Sequence, residues 1–124
     1  NGGFQIAFQA NTTNLWTTGT AGTRDWGLGM MAGTSPSITA LAGGAFEVAF
    51  QANTTNLWIA GAAGTADLGL GMRAGTSPSI TTLSNGGFQI AFQANTTNLW
   101  VTGAAGTADL GLGMRVGTSP SITR

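Results

Sequence analysis

Residues 4–16 read FQIAFQANTTNLW, and the string returns as FEVAFQANTTNLW at residues 46–58 and FQIAFQANTTNLW at residues 88–100. Copies 42 residues apart mark a tandem array, in which each unit buries its apolar face against a neighbour. Within the string, Phe4, Ile6 and Phe8 alternate with Gln5, Ala7 and Gln9, the period of a β-strand. The next residues, Asn11-Thr12-Thr13-Asn14, form a polar turn in which Asn is expected to take the left-handed conformation.

Working outward, each unit runs through a Gly-rich stretch to GTSPSIT, at residues 33–39, 75–81 and 117–123. The first unit thus holds four strand candidates, at residues 4–10, 15–19, 26–31 and 36–39. Position 17 becomes Ile59 and Val101 in the other units and so calls for a β-branched side chain. The last candidate opens on Pro36, a position a strand tolerates. Trp26, Leu28 and Met30 are expected on one face with Gly27 and Gly29 opposite. No segment carries the apolar period of a helix, so the chain reads as all-β. A face of Gly, Ala and Ser behind a face of Phe, Leu and Met suits sheets stacked in series, each pressing bulky side chains into its neighbour's flat back.

These features predict a β-propeller of four-stranded, 42-residue blades, three per chain, completed to six blades by dimerisation; a β-trefoil monomer is the alternative. Residues 1–124 are expected to form a single repeat domain with units 1–42, 43–84 and 85–124. Three blades fall short of the roughly four to eight that close a ring. The chain enters at the second strand of a blade and ends on a first strand, residues 120–123. Two copies exchanging that strand would close the circle as a homodimer and remove exposed sheet edges.

The totals exclude several classes of function. Four Arg, no Lys and four acids give a formal net charge of zero, which disfavours nucleic acid and anionic membranes as partners. There is no Cys and no His, removing thiol chemistry and the commonest base and metal ligand. No apolar run is long enough for a membrane helix, so membrane insertion is not expected. Abundant Thr, Asn and Gly without Lys point to a secreted or extracellular protein. Asn1 in place of an initiating Met leads us to expect a processed product or a piece of something longer.

The order SPSIT, GGAFEVAFQAN, NLWIAG, DLGLGM resembles one blade of the PLL-like β-propeller lectins, and the resemblance spans the chain three times. It implies carbohydrate-binding sites, with fucose or other cell-surface glycans as partners. The family's fourth strand carries Trp more often than here, where Trp26 gives way to Leu68 and Leu110.

Residue chemistry points the same way. Trp16, Trp58 and Trp100 recur on the second strand, and an indole offers a flat apolar face and one N–H donor to a pyranose; alternatively they fill space between blades. Asn14, Asn56 and Asn98 close turns whose amides and hydroxyls both donate and accept, as sugar hydroxyls require. Asp25, Asp67 and Asp109 are the repeated acids and can hold a sugar hydroxyl or cap their own loop. Trp26 completes the candidate sugar-binding set. Asn11, Asn53 and Asn95 also read as N-x-Thr glycosylation acceptors. One acid per unit is thin support for calcium, so no metal or cofactor is expected. Glycosidase chemistry needs two carboxylates about 5–10 Å apart, and a serine nucleophile needs a base; neither is offered, so the chain is not expected to be an enzyme. The rival class is a structural or assembly repeat without a small-molecule ligand, its Trp and Asn kept for packing.

Overall fold

The computed structural model describes residues 2–124; Asn1 lies outside the described residues. Three antiparallel sheets account for the chain. The first holds β1 (Gln5–Gln9), β2 (Asn14–Gly19) and β3 (Arg24–Gly29). The second holds β4 (Ser37–Ala40), β5 (Phe46–Gln51), β6 (Asn56–Gly61) and β7 (Ala66–Gly71). The third holds β8 (Ser79–Thr82), β9 (Phe88–Gln93), β10 (Asn98–Gly103) and β11 (Ala108–Gly113). Consecutive strands are neighbours throughout each sheet, and a 3-10 turn at Ala42–Gly44 links β4 to β5.

Only two of the three sheets reach the four strands expected of every unit. The first lacks the strand that β4 and β8 supply to the others. Residues 120–123, expected as a strand, pair with none. By its place in the repeat the segment corresponds to β4 and β8, the edge strands of the second and third sheets. It still follows its predecessor, because Ile122 N–H donates to Ser79 Oγ as Ile80 N–H donates to Ser37 Oγ, both at 3.1 Å.

The core lies between sheets. Val48, Phe50, Ala52 and Ala60 of the second sheet pack on Leu15 and Met30 of the first, with Trp26 and Leu28 at the margin. Ile90, Phe92 and Ala94 of the third pack in the same way on Leu57, Ile59 and Met72 of the second. The expected Gly-lined back is corrected here. Ala7 and Ala49 do face the neighbouring layer, but large side chains interdigitate from both sides.

The glycines have another use. Gly27, Gly69 and Gly111 have φ near +70° and mark the bulge at which β3, β7 and β11 shift register against β2, β6 and β10. A bulge resets the alternation of faces; the third strand begins at Arg24 rather than at Trp26 because Arg24 and Asp25 already pair with Thr17 and Trp16. The turn is corrected too. Thr13, Thr55 and Thr97, not Asn, take the left-handed conformation, with φ of 70–72°. For a β-branched residue that conformation is strained by about 1–2 kcal/mol.

Gln side chains brace the loops. Gln89 accepts from Ala105 N–H at 2.9 Å and donates to the Gly106 carbonyl at 2.8 Å, and Gln5 does the same at Ala21 and Gly22. Glu47 stands in that place in the second unit, fully buried, with Oε1 accepting from Ala63 N–H at 2.8 Å. Its Oε2 has no partner, since a carboxylate cannot donate where the Gln amide does. Burial raises the Glu47 pKa above 4.5, and the Ala63 N–H pulls the other way. The folded chain therefore keeps this proton to higher pH than the unfolded chain. The resulting stability is fully present below the ordinary Glu range and is lost as pH rises through the folded value. Glu47→Gln is expected to add about 1–3 kcal/mol near neutral pH and to flatten the fall in stability between acid and neutral pH. Thermal melts of both proteins across that window check this.

Candidate functional site

The repeated Trp, Asn and Asp converge on one spot per unit. Trp16 lies opposite Asp25, Trp58 opposite Asp67 and Trp100 opposite Asp109 across paired strands. The Asn14 amide donates to Asp25 at 3.3 Å, and the Asn56 and Asn98 amides reach both oxygens of Asp67 and Asp109 at 3.2 and 3.3 Å. Each Asp also accepts the N–H of the bulge glycine two residues on, at 2.9 Å. The bulge is thus clasped by the same carboxylate that sits beside the indole, and Asp serves its own loop as one of the two sequence readings expected.

The three indoles are half-buried, Trp58 against the core of the first and second sheets and Trp100 against that of the second and third. Trp58 leans on Phe50 with ring centroids 6.3 Å apart and an interplanar angle of 39°, and Trp100 leans on Phe92 at 6.4 Å and 40°. The indole N–H groups of Trp16, Trp58 and Trp100 are all buried and without an acceptor.

A cavity of about 130 Å³ opens at the junction of the second and third sheets. Leu70 and Gly71 form one wall; Phe92, Asn95, Thr96 and Trp100 form the other. Asn95 N–H donates to the Gly71 carbonyl at 3.2 Å, and Asn53 N–H to the Gly29 carbonyl at 3.1 Å. A Cβ on Gly71 would lie 2.5 Å from Asn95 Nδ2, at the flexible end of that side chain, which shows how closely the turn of the next unit closes in. The turn's first Asn therefore borders the cavity, whereas the sequence reading placed Asn98 in the binding set. The signal was available in the N-T-T-N string but gave no way to choose between its two ends.

Trp26 stands apart from these clusters. Its indole N–H donates to Thr17 Oγ1 at 3.0 Å, Arg24 Cζ lies 3.6 Å from its ring centroid, and Phe46 meets it edge-on. Arg24 and Trp26 occur together in the first unit, and Ala66 with Leu68 and Ala108 with Leu110 replace them. The lone Arg is thus a stacking partner for the lone fourth-position Trp.

No protein-family model and no curated protein matches the chain. Among solved structures it is similar to a fucose lectin from Kordia zhangzhouensis, in complex with methyl-fucoside. The likeness has a TM-score of 0.60 at 8% identity and covers 89% of this chain and 90% of that one. The two share an all-β fold.

Proposed function

We propose that the chain is a carbohydrate-binding, lectin-like module with several equivalent weak sites, one at each junction that carries a Trp–Asn–Asp cluster. The observation behind this reading is the Trp100 indole in the wall of a small cavity, with Asp109 paired opposite it across neighbouring strands. A pyranose offers C–H groups to the ring face and hydroxyls to the carboxylate and the turn amides. The proposed contacts are Trp16, Trp58 and Trp100 as platforms, Asp25, Asp67 and Asp109 as acceptors, and Asn14, Asn56 and Asn98 holding those acids in place. Trp26 is the least favoured of the original set, since its N–H already has Thr17.

The fold shared with a fucose lectin supports fucosylated or other cell-surface glycans as ligands. The same reading takes the sheets as propeller blades and the working form as a homodimer of six blades, acting outside the cell and binding rather than catalysing. Joining weak sites on one rigid body raises avidity by roughly 10²–10⁴. The scaffold reading keeps one specific support, the Asn–Asp–Gly clasp that satisfies the bulge without any ligand.

A glycan array of the purified chain tests the function. Binding to fucosylated glycans, reversed by free methyl-fucoside and weakened about tenfold, or about 1.4 kcal/mol, by Trp100→Ala in a folded chain, is the expected outcome. Silence across a broad array would leave the scaffold reading.

A further inference from the structure

Each sheet meets the next through one set of contacts, and half of that set stands open at either end of the chain. Within the chain, Met31 N–H donates to the Gln51 carbonyl and Arg73 N–H to the Gln93 carbonyl, both at 3.0 Å, beside the Asn53–Gly29 and Asn95–Gly71 bonds. The third unit offers Gly113 and Arg115 at these positions, and space around Gly113 is open. The first unit offers the complement, Gln9 and Asn11. The side chains agree. Val48, Phe50, Ile90 and Phe92 are 0% exposed, whereas their first-unit counterparts Ile6 and Phe8 are 47% and 36% exposed. At the other end, Leu110 and Leu112 are 45% and 59% exposed.

The inner edge repeats the pattern. A cavity of about 490 Å³ lies beside β1, between Phe4 and Gln5 on one side and Ile38, Ala40 and Phe46 on the other. It occupies the place that an inner strand would take in the first sheet. The only unpaired inner-strand sequence among the described residues is 120–123, at the far end of the same chain.

We infer that a second copy of this chain builds the third junction: Asn11 of one copy closes on Gly113 of the other, whose residues 120–123 enter the cavity beside β1. The repeat sets the register. Ser121, Ile122 and Thr123 face Ala7, Ile6 and Gln5, as Ser37, Ile38 and Thr39 face Ala49, Val48 and Glu47. The Trp16–Asn14–Asp25 cluster then gains Leu112 and Gly113 as the wall that Leu70 and Gly71 give Trp100. Its site is incomplete in a single copy. Two copies make six sheets, within the roughly four to eight of closed rings, and a head-to-tail contact that closes leaves no free face. What the completed pocket holds rests on the sugar-site reading; how it is built does not.

Cysteine pairing tests the contact in the full chain, which has no cysteine of its own. A Cβ at position 71 would lie 4.0 Å from that of Asn95, inside the range of about 3.5–4.5 Å for disulfides. Gly71→Cys with Asn95→Cys in one chain is therefore an internal control. Asn11→Cys and Gly113→Cys chains, mixed and oxidised, are expected to form a covalent pair of twice the chain mass as readily as the control closes, while neither does so alone. A control that closes beside a mixture that stays reduced would overturn the inference. So would a light-scattering mass of one chain for the unmodified protein, whatever the cysteines do. Cross-linking without any affinity for methyl-fucoside would keep the assembly and remove the sugar reading. Methyl-fucoside binding by a chain that neither cross-links nor pairs would do the reverse.

Discussion

Phe50→Ala is expected to lower stability by about 3–5 kcal/mol, a large fraction of the roughly 5–15 kcal/mol typical of folded domains. Phe50 is 0% exposed, packs between Leu15 and Met30 of one sheet and its own β6, and touches Trp58. Truncation removes the side chain that joins the first two sheets and leaves a cavity that the flanking strands cannot collapse into. Phe8 is the same residue of the repeat, at the open end. Diluted to single copies, Phe8→Ala is expected to cost less than about 1 kcal/mol, in line with a surface substitution. At concentrations where copies pair, its cost moves into association and depends on protein concentration. Urea unfolding of both variants at two concentrations gives the comparison, and equal costs at high dilution would show that Phe8 is covered within one chain.

Leu112→Glu is expected to reduce the mass in solution from two chains to one without loss of β-structure. Leu112 is 59% exposed in a single copy, so a carboxylate there meets water and the fold is indifferent to it. In the paired state the same position faces Ile6 and Phe8, where an unpaired charge costs several kcal/mol. Leu70, its counterpart one unit earlier, is packed against the core of the second junction. Leu70→Glu is accordingly expected to unfold the chain. Light scattering and circular dichroism separate the two variants, and an unchanged mass for Leu112→Glu would count against the open-ended array.

Much of this arrangement was legible in the residues. The spacing of Phe4, Phe46 and Phe88 announced the repeating units, and strict alternation in FQIAFQ placed β1, β5 and β9 and their buried faces. The misreadings have local causes. Gly27, Gly69 and Gly111 read as small residues on a flat face, but a glycine in a strand also permits positive φ, and the pairing of Arg24 and Asp25 with β2 starts the third strand two residues early. The turn N-T-T-N offers two residues suited to the left-handed region, yet backbone closure put Thr13, Thr55 and Thr97 there. Of the candidate site, the Trp–Asp–Asn grouping follows from strand pairing and was reachable; the approach of Asn95 to Gly71 depends on how neighbouring sheets dock and was not. The cost of Glu47 was likewise hidden, because the exchange with Gln5 and Gln89 reads as neutral until both amide bonds of Gln89 are seen.

A crystal structure of the chain with methyl-fucoside is the most direct test of the central proposal, that these junctions are sugar sites. The sugar is expected against the Trp100 indole with the Asn95 turn at its edge, and in the same pose at Trp58. Sugar bound elsewhere on the surface, or none at saturating concentration, would contradict it.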